Sequence, residues 1–165
     1  MYKQVNGTTL ILKPHWRQFC IAQLHLVVVM VACIITYCTT NLWHWCAILL
    51  LLMAAALATY LLYAMADLMR LSYTITKEQI IIQHGVFVHA TDYIELYRVV
   101  DYQQSRTLMQ QLTGLMTVKI LSGDRNTPIL NIIGMKKEWN VIREIRKRVE
   151  YNKQKKGIYE ITNRM

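Results

Sequence analysis

A run of 49 residues without Lys, Arg, Asp or Glu, from Gln18 to Ala66, constrains this chain more than any other feature. The core helix of a soluble protein carries charges on its outer face, whereas this run carries none. The polar residues Cys38-Thr39-Thr40-Asn41 divide it into two pieces. Each piece is long enough to cross a hydrocarbon core about 30 Å thick at about 1.5 Å per residue. The run predicts a transmembrane helical hairpin within residues 18–70, with helices over about 19–37 and 42–65.

The positions of the basic residues predict how this hairpin is oriented. All 19 Lys and Arg residues lie outside the uncharged run, and three of them precede it. Because basic flanks stay on the cytoplasmic side, we expect both termini in the cytoplasm. Residues 1–17 are predicted to be a basic cytoplasmic leader. A cleaved signal peptide ending near Cys33 is the alternative, and the second apolar helix that follows argues against it.

Behind the hairpin the pattern changes to short strands. Alternating apolar residues and turn residues predict six of them, at 73–76, 79–83, 86–93, 94–103, 116–120 and 127–132. Residues 105–114 are predicted to form a short helical turn that ends at Gly114. An apolar stripe at spacings of three and four predicts a last helix that packs on the sheet. Residues 152–165 are predicted to form a polar basic tail. The stripe consists of Trp139, Ile142, Ile145 and Val149.

Three segments carry a resemblance to a known family: "YTIT" at 73–76, "IELYRVVDYQQS" at 94–105 and "LTGLMTVKILSG" at 112–123. Together they resemble the bacterial pleckstrin-homology domain of small membrane-anchored proteins, which commonly carry two transmembrane helices in front of it. The resemblance implies an α+β membrane protein, in which the hairpin is followed by a small β-barrel or sheet capped by a C-terminal α-helix. It places this domain at residues 71–151. No catalytic residue or cofactor belongs to that fold, so the resemblance implies a protein that is not an enzyme.

The charge distribution bears on lipid binding. Residues 67–135 carry six basic and six acidic side chains, whereas residues 136–165 carry ten basic and four acidic ones. A polyphosphate headgroup demands several basic donors, and the loop Thr76-Lys77-Glu78-Gln79 offers one. The basic last helix is either a contact for anionic lipid or a solvated face. It has no interleaved aromatics or motif that would favour nucleic acid. Candidate lipid contacts are Arg143, Arg146, Lys147 and Lys153.

Several polar groups invite a chemical role. The four cysteines match no paired metal-binding spacing, so we expect structural roles and no metal or cofactor. Cys38 and Cys46 flank the predicted outer turn, and the sequence allows either two free thiols or a disulfide between them. Polar side chains inside a bilayer are costly unless they meet a neighbour, so Gln23, His25 and Thr59 are candidate intramembrane contacts. His84, His89 and Asp92 are predicted to be surface residues.

These observations lead to one main functional hypothesis. The chain is predicted to be a membrane-anchored, non-catalytic module that binds a partner protein or another copy of itself, through a sheet edge or the groove beside the last helix. The candidate contacts are Tyr97, Tyr102, Gln103 and Gln104. One alternative is a sensor of anionic lipid that works through the basic helix. Another is a small subunit of a larger membrane complex that assembles through Gln23 and His25.

Overall fold

The fold was analysed in a computed structural model, which describes residues 3–6, 9–39 and 43–158, with side chains from residue 9 onward. The predicted outer turn at Thr40 and Asn41, the predicted helix start at Leu42 and the end of the tail (159–165) lie outside the described residues. Four helices, two short 3-10 turns and eight strands occur in the described part. In chain order they are β1 (Lys3–Asn6), β2 (Thr9–Leu12), α1 (Arg17–Thr39), α2 (His44–Arg70), β3 (Ser72–Ile75), β4 (Gln79–His84), β5 (Ala90–Glu95), a 3-10 turn (Leu96–Arg98), β6 (Val99–Ser105), α3 (Leu108–Thr113), β7 (Leu115–Ser122), β8 (Ile129–Lys136), a 3-10 turn (Lys137–Trp139) and α4 (Val141–Lys155).

The uncharged run forms the predicted helical hairpin. α1 and α2 are 23 and 27 residues long, pack against each other, and are long and apolar enough to cross a membrane. Cys33 and Leu61 are buried, while most apolar side chains of both helices are exposed. Such all-round apolar surfaces are typical of helices that face hydrocarbon.

The first sheet corrects the predicted leader. Its five strands follow the order β1-β2-β3-β4-β5, and all neighbours are antiparallel. Residues 3–6 and 9–12, assigned from the sequence to a leader outside the domain, therefore supply two strands. Leu10 and Leu12 are fully buried in the core and pair with Ile75 and Tyr73 of β3. The domain is built from both sides of the hairpin.

This arrangement places the hairpin inside the domain. β2 ends at Leu12 and leads into α1, and α2 leads into β3 with only Leu71 between them. Because β2 and β3 are antiparallel neighbours, both helices meet the sheet at the same end. We call this end the hairpin end. The turn between β3 and β4, residues 76–78, lies at the opposite end, which we call the far end.

The second sheet and α4 complete a single core. β6, β7 and β8 form a three-stranded antiparallel sheet, and Val141, Ile145 and Val149 of α4 pack into the core. Strands of both sheets contribute fully buried side chains to this core, including Ile80, Ile94, Val118 and Ile132. Sheet and helix thereby bury each other's apolar faces, and the predicted fold class is confirmed in its α+β arrangement.

Several predicted boundaries were wrong. The strand predicted at 86–93 begins only at Ala90, because residues 85–89 form a longer connection. The strand predicted at 94–103 is broken by the 3-10 turn at 96–98, where the chain passes from the first sheet to the second. Leu96 and Val99 are both buried at this corner. In a regular strand, residues three positions apart lie on opposite faces, so the alternating pattern did not predict that both would be buried. The last helix continues to Lys155, beyond the predicted start of the tail.

Candidate functional site

A groove between β6 and α4 is the candidate interaction site. Its volume is about 460 Å³, with residues 99–102 of β6 on one side and α4 on the other. β6 pairs with β7 on one edge, and in the described chain no strand pairs with its other edge. Such an edge presents backbone donors and acceptors to an incoming strand. The α4 side is formed by Ile142, Arg146, Val149, Glu150, Lys153 and Gln154.

The groove combines apolar surface with charges of both signs. Val100 is 66 % exposed at its rim, although its neighbour Val99 is buried. On the helix side, the Arg146 guanidinium donates to Glu150 at 2.8 Å, one turn further along α4. On the strand side, Asp101 accepts the backbone N–H of Tyr102 at 2.7 Å. The groove therefore offers apolar contact between charged side chains on α4 and on β6.

The predicted protein contacts do not form one site. Tyr102 lines the β6–α4 groove. Gln104 lines a neighbouring cleft near the start of α4, with Arg143 and Arg146. Gln103 is exposed on the opposite side of the alternating strand. Tyr97 lies at the far end of the domain.

Charged side chains at the far end hold Tyr97 and the β3–β4 turn. Lys156 lies with its Nζ 3.7 Å from the centroid of the Tyr97 ring, a cation–π contact. Lys155 donates to Glu78 at 2.9 Å and holds the pKa of that carboxyl below its usual range. Arg98 donates to the Tyr97 hydroxyl at 3.2 Å, which contributes to a raised Arg98 pKa. Much of the basic charge at the end of α4 is thus engaged within the domain.

α4 also binds the backbone of this turn directly. Arg148 donates to the carbonyl oxygens of Ile75 and Thr76 at 2.7 and 3.0 Å. Asn152, buried on α4, donates to the Lys77 carbonyl at 2.6 Å. In this turn Lys77 is an exposed basic side chain beside Glu78. The turn is fastened to α4 and lies away from the helical hairpin.

The predicted lipid contacts are spread along α4. Arg143 lies near its start, in the cleft that also contains Lys137 and Asn140. Lys153 lies near its end, one residue after Asn152 and its contact with the far-end turn. Arg146 and Lys147 are exposed between them. The four side chains do not converge on the hairpin end.

A buried polar junction ties α1 to the domain, and the sequence analysis missed it. Gln110 of α3, 3 % exposed, donates to the Gln18 side chain at 2.9 Å and to the Thr117 hydroxyl at 3.0 Å. Its backbone N–H and side-chain oxygen also bond with Thr107, which closes a capping box. The Thr107-x-x-Gln110 spacing was a signal for this cap, but no local pattern announces the partner Gln18, 92 residues away.

The residues that lead into α1 are held by further contacts beside this junction. The His15 N–H donates to the Gly134 carbonyl at 3.0 Å, and His15 Nδ1 accepts the Arg17 N–H at 3.2 Å. Burial, followed by the charges of Arg17 and Lys136, lowers the pKa of His15. Gly134 has φ +66°, and a Cβ there would lie 2.9 Å from Cβ of Gln18. Only glycine permits β8 to approach α1 this closely.

The predicted intramembrane contacts are not joined across the hairpin. The Thr59 hydroxyl donates to the Ala55 carbonyl at 2.9 Å within its own helix. Gln23 is half-buried and His25 is exposed on α1. Within the described residues, neither side chain is hydrogen-bonded to α2.

The other titratable groups form loose pairs. His84 Nδ1 lies 3.9 Å from an Asp92 oxygen, and both side chains are half-exposed. His89 is instead bonded to Arg70 at 2.9 Å. All four cysteines are free thiols. The described residues contain no cluster of three or more His, Cys, Asp or Glu side chains that could hold a metal ion.

Two sheets that share one core and are closed by a C-terminal helix define a pleckstrin-homology-like domain. The profile of the bacterial PH domain family matches residues 19–149, most of the chain, and the protein belongs to this family. No curated protein and no solved structure gives a significant match to the chain. The matched range includes both helices of the hairpin, whereas β1 and β2 precede it.

Proposed function

We propose that this protein is a membrane-anchored, non-catalytic interaction module that takes up an extended segment of a partner protein along β6. In this proposal α1 and α2 cross the bacterial inner membrane and both chain ends lie in the cytoplasm. Support comes from the two long apolar helices and from the basic residues that flank them. The domain then stands directly on the cytoplasmic face, because Leu71 alone separates α2 from β3.

The observation that carries the proposal is the unpaired edge of β6 beside α4. Residues 99–102 of β6 line the groove, their pairing with β7 shifts register between Val99 and Asp101, and at about 3.3 Å per residue they span at most roughly 13 Å. This length suits about four residues of an added strand. Main-chain hydrogen bonds would provide affinity, and alternate side chains of the partner would meet α4.

The walls of the groove suggest the character of the segment. Val100, Tyr102 and Ile142 offer apolar contact along it. Arg146 and Lys153 on α4 face Asp101 on β6 across the groove. A segment with small apolar residues fits this surface, and an acidic residue on its α4 side would lie beside the basic side chains of Arg146 and Lys153.

The geometry favours this module over a sensor of anionic lipid. Lys153 lies near the end of α4 that contacts the far-end turn, and Arg148 and Lys155 are engaged with that turn. A lipid surface reached through this end would have to be one other than the membrane that the hairpin crosses. Of the predicted lipid contacts, Arg143 lies nearest to the hairpin end.

Photo-crosslinking in native membranes tests the proposal. Benzoylphenylalanine at Val100, on the rim of the groove, should form an adduct with a partner protein or a second copy of the chain. The matched control is Ile129, an exposed apolar residue at the start of β8, the opposite edge strand of the same sheet. Adducts of equal yield at both positions, or none at Val100, would remove the support for this groove.

A second pair of variants separates this proposal from assembly through the hairpin. Val100→Glu should weaken recovery of the partner in mild detergent, whereas Gln23→Leu combined with His25→Leu should not. The reverse result would favour a subunit that assembles through its membrane helices. Ile129→Glu serves again as the control for an added charge on an edge strand.

A further inference from the structure

The connection between β4 and β5 has an apolar tip, which is unusual for a surface turn. Gly85 begins it with φ +99°, and a Cβ there would overlap the Val88 carbonyl oxygen. The residues that follow are Val86, Phe87 and Val88, and Phe87 and Val88 are 86 % and 78 % exposed. Surface turns are normally built from Gly, Pro, Asn, Asp and Ser. Something outside the domain is therefore needed to cover this tip.

The tip reaches along α2 to the level of its uncharged part. The Phe87 ring is stacked on Tyr63, with 5.9 Å between centroids and 14° between planes. Tyr63 precedes Arg70, the last residue of α2, by seven positions, which is about 10 Å of helix at about 1.5 Å per residue. It also lies one turn before Asp67, the first charged residue after the uncharged run. Phe87 is thus beside a segment suited to hydrocarbon.

The short helix α3, next to α1, also has apolar residues on its exposed side. Its buried residue is the polar Gln110, which bonds to Gln18 in the first turn of α1. Its apolar residues Leu108 and Leu112 are 77 % and 82 % exposed, and Met109 is also exposed. A helix on the surface of a soluble domain has the opposite arrangement, with polar residues outward. α3 therefore presents an apolar face at the level where α1 begins.

Basic side chains surround the hairpin end. Arg17 begins α1, Arg70 ends α2, and Arg70 bonds to His89 directly after the apolar tip. Lys13 and Met69 line the cleft that contains this pair. Lys136 ends β8, near His15. Basic residues next to exposed apolar ones are typical of surfaces that meet anionic headgroups and the upper part of the acyl chains.

We propose that the β4–β5 tip and α3 are embedded in the headgroup and upper acyl region of the same bilayer that the hairpin crosses. This inference rests on the proposed function only in that α1 and α2 must span a membrane. Lipid is the occupant that fits, because the two apolar segments adjoin different helices. The tip contacts Tyr63 of α2 through Phe87, and α3 contacts Gln18 of α1 through Gln110, so that its exposed leucines lie at the level where α1 begins. A partner protein would have to cover both at once. The embedded segments hold the domain in one orientation, with the β6–α4 groove left in water.

The test places a photo-crosslinker on full-length protein in vesicles. Benzoylphenylalanine at Phe87 or Leu112, in vesicles of phosphatidylethanolamine and radiolabelled phosphatidylglycerol, should acquire several-fold more labelled lipid than the same group at Tyr151. Tyr151 is the matched control, because it is an exposed aromatic residue near the far end of α4. All three side chains are exposed in the domain, so these substitutions leave its core intact.

The outcomes separate this inference from the proposed function. An alkaline carbonate wash of the vesicles tests the hairpin independently. Protein that stays in the vesicles without a lipid adduct at Phe87 and Leu112 overturns the embedding while the hairpin stands. Adducts with another protein chain at both positions overturn it in favour of a protein contact. Protein released by the wash overturns the spanning hairpin, and the embedding with it.

Discussion

Gln110 is a single polar side chain on which the attachment of α1 depends. Its amide donates to Gln18 and Thr117, and its own oxygen accepts the Thr107 N–H. A buried donor that loses its partner costs more than an exposed one, because water does not replace the bond. The position of the first helix therefore depends on bonds that join α1, α3 and β7.

We expect Gln110→Ala to lower the free energy of unfolding by about 1–3 kcal/mol, because Gln18 and Thr117 lose a buried partner. Thermal unfolding of the purified protein in mild detergent measures this. Gln111→Ala is the control, since Gln111 is exposed on the same helix. Equal losses in the two variants would contradict a specific role for the junction.

Tyr73 makes the stability of the domain sensitive to alkaline pH. Burial raises its pKa to about 12, and its hydroxyl donates to the Asn131 carbonyl at 2.9 Å, which joins the two sheets. The pKa in the unfolded chain is about 10. The folded state thus favours the neutral phenol. Its contribution to stability is complete below about pH 10 and is lost as the pH rises towards 12.

The expected result is a steeper loss of thermal stability between pH 10 and 11.5 in the wild-type protein than in Tyr73→Phe, which has no proton to lose at this position. Near pH 8 the variant should be less stable by about 1 kcal/mol, because the bond to Asn131 is missing. Parallel curves for both proteins above pH 10 would show that Tyr73 does not cause the alkaline sensitivity.

At the scale of elements, β2 is part of the domain although 59 residues separate its end from the start of β3. The strand alternates half-buried and fully buried positions, and Leu10 and Leu12 enter the core. An isolated segment of residues 71–165 would expose the side chains that these leucines cover, and would leave an edge of β3 unpaired.

We expect Leu12→Ala to destabilise the domain by about 2–5 kcal/mol, because it leaves a cavity in the core. Ile11→Ala, at the neighbouring half-buried position of the same strand, should cost clearly less. Urea unfolding followed by the fluorescence of Trp139, with the other tryptophans replaced, measures both. A smaller loss for Leu12→Ala than for Ile11→Ala would contradict the placement of β2 in the core.

The same argument predicts the behaviour of fragments. Residues 71–165 alone should aggregate, whereas a chain that joins residues 1–14 to residues 71–165 by a flexible Gly-Ser linker should remain soluble and show a cooperative transition. Size-exclusion chromatography compares the two. A soluble, cooperatively folded 71–165 fragment would show that β1 and β2 are dispensable.

For the whole molecule, the proposed orientation puts the hairpin turn and the far end of the domain on opposite sides of the membrane. An impermeant maleimide added to intact spheroplasts should label Cys38 or Cys46, which flank the turn. Cysteine introduced at Asn126, on the exposed connection between β7 and β8, should react only after permeabilisation. The opposite pattern would invert the topology, and labelling with and without reductant also tests whether Cys38 and Cys46 pair.

Local patterns were sufficient for much of this fold. The uncharged run, the short helical turn that ends at Gly114 and the apolar stripe of the last helix predicted elements that the structure contains. The missed strands β1 and β2 also had a signal. The dipeptide Asn6-Gly7 is common in tight hairpin turns, and Val5 pairs with Leu10 across this hairpin. A short segment with Lys3, Lys13 and Arg17 in front of a membrane helix resembles a basic leader, and this similarity concealed the two strands.

The sequence by itself determined the hairpin, the β-type domain behind it and the family resemblance, because each depends on the order of neighbouring residues. Only the tertiary structure decided that β2 and β3 lie side by side, that Gln110 meets Gln18, and that the basic end of α4 turns away from the hairpin. The physical reason is that these contacts join residues far apart in the chain. Their formation depends on how the strands pair and on which apolar faces are buried together, not on any local period.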